Sequence, residues 1–133
     1  RRAGDTRRTL LNNESVEEIV KDYGFELVVP EKLSFSEQVR LFSEASIVIG
    51  QAGAALANMV FCQPGAVVVP IAVGEGTHAD YSVFAKIAAL INLNLTYFLT
   101  NQNAADHTYK NFATFFVDSA SFKHFLNTLN IDP

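Results

Sequence analysis

The chain of 133 residues has the length of one ordinary domain, and with 49% hydrophobic and 18% charged residues it does not have the composition of a disordered protein. A net charge of −4 gives no overall electrostatic case for binding DNA or RNA, and the one basic cluster, Arg1, Arg2, Arg7 and Arg8, lies at the very start. The single cysteine, Cys62, excludes an internal disulfide and fits a reducing compartment, and no apolar run approaches the roughly 20 residues that span a bilayer.

The arginine-rich start has no apolar segment behind it, so it does not read as a signal peptide. The first residue is not methionine, and the chain is expected to be a piece of a longer protein. The first predicted helix covers 13–23, where Val16, Ile19, Val20 and Tyr23 fall on one face. Asn12, Asn13 and Ser15 are candidate caps, and Gly24 suits the left-handed residue that ends a helix. A strand is predicted over 25–29, stopped by Pro30. Ser34-Phe35-Ser36-Glu37 is a capping box, opening a helix with Phe35, Val39, Phe42 and Ala45 on one side.

A buried strand follows over 46–49, closed by Gly50, and then an Ala/Leu/Met-rich helix over 53–63 that Pro64-Gly65 breaks. A run of β-branched residues over 66–71 predicts a third buried strand. After a polar loop over 73–80 comes a helix over 81–92, with Val83, Phe84, Ile87, Ala88 and Ile91 inward. Residues 95–99 predict a fourth strand, 101–111 a polar loop and 115–117 a short strand. A last helix carries Phe122, Phe125, Leu126 and Leu129, with Ser119 or Ser121 as its cap. The strands are continuous apolar runs, as in a parallel sheet buried on both faces, and the helices between them supply the crossovers. The expected class is α/β, a Rossmann-like, doubly wound parallel sheet in one domain over 1–133.

The segment that can carry chemistry is Ile47-Val48-Ile49-Gly50-Gln51-Ala52-Gly53-Ala54-Ala55-Leu56-Ala57-Asn58. It sets a buried strand, a glycine turn and a helix start in succession. Gly50 can take a positive φ there, and Gly53 lets a ligand approach the backbone. The unpaired amides of Gly53, Ala54 and Ala55, at the positive end of the helix dipole, suit a phosphate or diphosphate. The segment is neither Gly-x-Gly-x-x-Gly nor a P-loop, and it equally fits a tight turn whose small residues serve helix–sheet packing.

The chain resembles glycosyltransferase family 61. The resemblance lies in Arg1-Arg2…Arg7-Arg8-x-Leu10-Leu11-Asn12, Gly24-Phe25-Glu26 and Pro30-Glu31-x-Leu33-Ser34-Phe35-x-Glu37-Gln38. It continues through Leu41-Phe42-x-x-Ala45 to Gly50-x-x-Gly53-Ala54-x-Leu56-Ala57-Asn58, with Phe61 and Pro64-Gly65 behind. Members of that family include capsular polysaccharide enzymes, plant xylosyl- and arabinosyltransferases and protein O-linked N-acetylglucosamine transferases. The resemblance implies an inverting transferase of the GT-B type, two Rossmann-like domains facing a cleft. This chain would be the C-terminal, donor-binding one, and the acceptor-binding domain is not in it. Two departures stand out: Ala52 where the family usually has His, and Val69-Pro70-Ile71 where it often has Glu.

The resemblance gives Arg1 and Arg7 a diphosphate role, through charge-assisted and often bidentate bonds to phosphate oxygens; Arg2 and Arg8 read better as a solvated basic end. Gly50, Gln51, Gly53, Ala54 and Ala55 form the phosphate turn. Asn58, one helical turn on, is a nucleotide contact or a structural amide. Glu75 is placed near the expected ribose site, although a solvated loop charge is the stronger reading. His78 and Asp80 share that loop, while His107 and His124 read as surface residues. No catalytic base is assigned, because the acceptor side of a GT-B enzyme is built by its other domain.

No metal cluster, Asp-x-Asp motif or cofactor is expected beyond a nucleotide-sugar donor, expected to be UDP-linked, and a glycan acceptor. The sequons Asn13-Glu14-Ser15 and Asn94-Leu95-Thr96 read as a helix cap and a strand start. The expected location is cytoplasmic, at or near the inner membrane face, with a lumenal one open for a eukaryotic source. Two functions stay in competition: the donor-binding domain of a polysaccharide or glycan glycosyltransferase, and a non-catalytic nucleotide or sugar-phosphate binding module on the same fold. A flavodoxin-like domain fits poorly, lacking an acidic cluster after the first strand.

Overall fold

The computed structural model describes residues 10–74, 81–100 and 114–130. Among these residues, four α-helices carry the labels α1 (Asn13–Asp22), α2 (Phe35–Glu44), α3 (Ser82–Ile91) and α4 (Ser119–Thr128). The strands are β1 (Ile47–Gln51), β2 (Val67–Val73), β3 (Asn94–Leu95) and β4 (Phe98–Thr100), and 3₁₀ helices occupy Pro30–Lys32 and Ala54–Phe61. The fold is mixed α/β with a parallel sheet, consistent with the Rossmann-like expectation. The chain clusters into two compact units. Among the described residues, one holds 29–72 and 81–99, the other 10–28, 73–74, 100 and 114–130.

In the first unit β2 is the middle strand. β1 pairs with it in parallel, Ile47 opposite Val67 through Gln51 opposite Ile71, and β3 pairs in parallel on the other side, Val67 opposite Asn94. The valine run explains the position: Val68 and Val69 are fully buried, so successive side chains on both faces are covered. The 3₁₀ helix Ala54–Phe61 makes the β1–β2 crossover and α3 the β2–β3 crossover. Leu56, Met59, Cys62, Val68, Phe84 and Ala88 share one apolar cluster with Phe42 of α2.

The predicted fourth strand is split into β3 and β4, and Pro70 supplies the reason. The Val67 amide donates to Ser46 on the β1 side, whereas the Val68 carbonyl accepts from the Thr96 amide on the other. Alternation therefore turns Pro70 toward β3 and β4, and Pro70 has no N–H to offer the Thr96 carbonyl. Pairing lapses there and resumes when β4 pairs with β2.

The capping box forms as the spacing predicts. The Glu37 amide donates to Ser34 Oγ, and Glu37 Oε2 accepts from the Ser34 amide at 2.8 Å. On α2 only Phe42 is buried; Phe35, expected inward, is 67% exposed and meets the Phe61 ring edge-on at 5.7 Å. On α3, Phe84 and Ala88 are buried while Val83, also expected inward, is exposed. Asn92 ends α3 in the left-handed conformation, and its carbonyl accepts from the amide of Gly65, itself at φ +88°.

In the second unit α1 and α4 bury Val16, Ile19, Val20, Phe122 and Leu126. Gly24, at φ +80°, follows α1 as its sequence predicts. The expected strand at 25–29 is absent; these residues are irregular, with Leu27 exposed. The cap of α4 is Asp118, not Ser119 or Ser121: its carboxylate accepts from the Ser121 amide at 2.8 Å. The Ser121 side chain first, and then this amide, hold the Asp118 carboxyl below its ordinary range.

Residues 115–117 form a single parallel bridge, Leu10 with Phe115, rather than a strand. The Asn12 side chain extends the bridge. Its Nδ2 donates to the Val117 carbonyl at 2.7 Å and its Oδ1 accepts from the Val117 amide at 3.1 Å. Asn12 precedes α1 without capping it through its side chain.

Candidate functional site

β1 does not close at Gly50. It runs on to Gln51, Gly50 lies opposite Pro70 inside the strand, and its φ is not positive. A Cβ at Gly50 would meet Leu56 Cδ1 at 3.4 Å, so this glycine is where the crossover helix comes close to the strand. The Ala52 amide donates to the Ile71 carbonyl at 2.8 Å, carrying the pairing one residue beyond β1. The turn itself therefore falls at Gly53.

Gly53 is extended, φ −169° and ψ −178°, and precedes a 3₁₀ helix rather than the α-helix expected from composition. Burial explains the tighter form. Leu56, Met59 and Cys62 recur every third residue and are all buried, which matches three residues per turn. The Gly53 carbonyl accepts from the Leu56 amide at 3.0 Å. The amides of Gly53, Ala54 and Ala55 have no hydrogen-bond partner among the described residues, and Ala54 and Ala55 are exposed. This is a short row of donors on a turn whose alanines are exposed, the arrangement that accepts an anion; the strand before it, expected to be buried, is only half-buried, with Gln51 exposed.

Ala52 is 3% exposed and belongs to the apolar cluster with Leu56 and Met59. A side chain at this position enters the core. Cys62, in the same cluster, has its thiol pushed up by burial.

Asn58 is half-buried, and its Nδ2 donates to Gln38 Oε1 at 2.7 Å. Gln38 in turn donates through Nε2 to the carbonyls of Pro30 at 3.0 Å and Leu33 at 3.1 Å. One glutamine of α2 thus ties the 3₁₀ turn Pro30–Lys32 to the 3₁₀ helix Ala54–Phe61. Sequence reading named Gln38 only as part of a motif. Its signal was an amide one residue past the capping glutamate, and nothing in the spacing pointed to its partners.

Arg1, Arg7 and Glu75, together with Arg2, Arg8, His78, Asp80 and His107, lie outside the described residues. His124 is an exposed residue of α4. The described residues contain no group of three or more His, Cys, Asp or Glu able to hold a metal ion. None of their helices is long and apolar enough to cross a membrane. In the two sequons, Asn13 donates to Glu17 within α1, and Asn94 Nδ2 donates to the Gly65 carbonyl at 2.9 Å.

The family model Glycosyltransferase 61 matches residues 1–69, just over half of the chain. The chain belongs to glycosyltransferase family 61. The matched stretch takes in α1, α2, β1, the 3₁₀ helix Ala54–Phe61 and the start of β2, and so contains the whole amide corner. No curated protein matches the chain.

Proposed function

We propose that this glycosyltransferase 61 chain binds the nucleotide-sugar donor and that the donor diphosphate sits on the Gly53–Ala55 amides. The observation that carries the reading is that row of amides, which have no hydrogen-bond partner among the described residues, on a turn where Ala54 and Ala55 are exposed. Negative charge grows on the diphosphate as it leaves, so amides already oriented toward it lower the barrier without reorganising. Arg7 and Arg1 add cationic, bidentate contacts to the same phosphates, and Gln51 and Glu75 contact the nucleoside or the sugar. The donor is UDP-linked, the acceptor is a glycan, and the transfer inverts configuration. The chain acts as one half of a GT-B pair whose partner domain brings the acceptor and the general base.

Titration calorimetry of the chain with UDP and UDP-sugars tests this. Saturable UDP binding that is lost in Arg7→Ala is expected; wild-type chain that takes up no UDP refutes it. A second reading, a nucleotide or sugar-phosphate binding module without transfer activity, is favoured by Ala52. Its side chain is apolar and buried in the core, so it offers the corner no polar group. Transfer assayed with an acceptor domain supplied separates the two: binding without sugar release or transfer supports the module.

A further inference from the structure

A 3₁₀ helix of eight residues is longer than the three or four such helices usually reach, because its hydrogen bonds are poorly aligned. Something beyond backbone bonding has to hold Ala54–Phe61 in that form. The buried stripe Leu56, Met59 and Cys62 favours three residues per turn, but it touches only one side of the helix. On another side, Asn58 Nδ2 donates to Gln38 Oε1 at 2.7 Å. Gln38 cannot swing away, since its Nε2 is committed to the Pro30 and Leu33 carbonyls.

Rotation is the quantity at stake. An α-helix turns about 100° per residue and a 3₁₀ helix about 120°, so over the four steps from Ala54 to Asn58 the two forms diverge by about 80°. A helix pinned at Asn58 therefore brings its first amides out at one place around its axis as 3₁₀ and at quite another as α. We propose that Asn58 and Gln38 are positioning residues: their amide pair locks the helix as 3₁₀ and so sets where the Gly53, Ala54 and Ala55 amides point. Asn58 then acts through Gln38 rather than by touching the donor. The functional consequence rests on the diphosphate reading above, whereas the lock itself is measurable without ligand.

The test uses the full chain and two variants. In Asn58→Asp the carboxylate has no proton to donate to Gln38 Oε1 at about pH 8; facing an oxygen acceptor, it protonates more readily and regains a donor near about pH 4.5. Glu31, Lys32, Glu37 and Arg40 lie on the segments that meet this pair, so wild-type chain at both pH values serves as the reference. Gln38→Met removes all three bonds at similar length and has no proton to recover.

Two readouts are taken: the amide resonances of Gly53, Ala54 and Ala55 by NMR, and the affinity for UDP by calorimetry. In Asn58→Asp at the higher pH the three resonances are expected to move and UDP affinity to fall about tenfold relative to wild type, the worth of one hydrogen bond. Both are expected to return on acidification. Gln38→Met, which remains informative if the aspartate variant does not fold, is expected to show the same loss with no return. Unmoved Gly53–Ala55 resonances in the folded variants overturn the lock. Wild-type chain that ignores UDP while those resonances still follow the lock overturns the diphosphate reading and leaves the positioning role standing.

Discussion

Gly53→Ala separates the two physical meanings of a small residue at the turn. If Gly53 is there for packing, a methyl group should damage the fold. The geometry says otherwise: a Cβ built on Gly53 would have the Gln51 carbonyl oxygen at 3.8 Å as its nearest described neighbour, an ordinary contact. The extended backbone, φ −169°, is open to alanine. With no strain in the native state, alanine acts mainly on the unfolded chain, and the variant is expected to be more stable by about 0.4–1 kcal/mol. A diphosphate, by contrast, has to approach this backbone closely, and the methyl stands in its way. Losing one hydrogen bond to a charged group costs about 1.5–3 kcal/mol, or about 10- to 150-fold in Kd. Urea unfolding followed by circular dichroism reads the first quantity, and UDP calorimetry reads the second. Destabilisation beyond about 1 kcal/mol would show that the turn is packed against something, and unchanged UDP affinity in a folded variant would show that no phosphate sits there.

Further perturbations follow from the hydrogen bonds and from burial. Asn12→Ala leaves the amide and carbonyl of the fully buried Val117 without their partner, and is expected to cost about 2–6 kcal/mol in urea unfolding, since each orphaned buried group costs about 1–3; a loss under about 0.5 kcal/mol would mean that water replaces the side chain. Ser34→Ala removes the helix cap of α2 and is expected to cost about 1 kcal/mol. In wild type the Glu37 carboxyl is held below its ordinary value, first by the Ser34 side chain and then by the Ser34 amide. A lowered carboxyl pKa means stability that is fully present above the ordinary carboxylate range and is lost as pH falls through the folded value. Acid titration of the folding midpoint should show that loss in wild type and less of it in Glu37→Gln. Cys62 is buried with a raised thiol pKa, so its contribution is intact below about pH 9 and is lost as pH rises beyond it. Its labelling by a thiol reagent at neutral pH should track unfolding, and fast labelling of the native chain would contradict the burial.

The sequence was most readable where one local rule decides a conformation. Ser34 and Glu37 could only be a capping box, and the valine run of β2 could only be a buried strand. Gly24 was legible as a helix end for the same reason. Reading failed where a long-range partner decides. The stretch 25–29 has strand-like composition but finds no strand neighbour among the described residues. Asn12 and Asn58 look alike as amides beside a motif. In the fold one mimics a strand residue for Val117 and the other is held by Gln38.

The corner itself shows most clearly why helix type was out of reach. Ala54-Ala55-Leu56-Ala57-Asn58-Met59-Val60-Phe61-Cys62 is apolar almost throughout, so neither a 3.0- nor a 3.6-residue period stands out in it. The choice is made by what it packs against: only positions 56, 59 and 62 are fully covered, and Val60, which an α-helix with Leu56 inward would also bury, is 48% exposed. Strand length has a similar origin. Gly50 suggested an end to β1, yet opposite it stands Pro70, which contributes no amide but turns toward β3 and β4. The missing donor costs the far strand its continuity and leaves β1 free to run to Gln51, with Ala52 still paired behind it. The register of β1 on β2 therefore carries the turn three residues past Gly50, and it is Gly53, not Gly50, whose amide opens the exposed row.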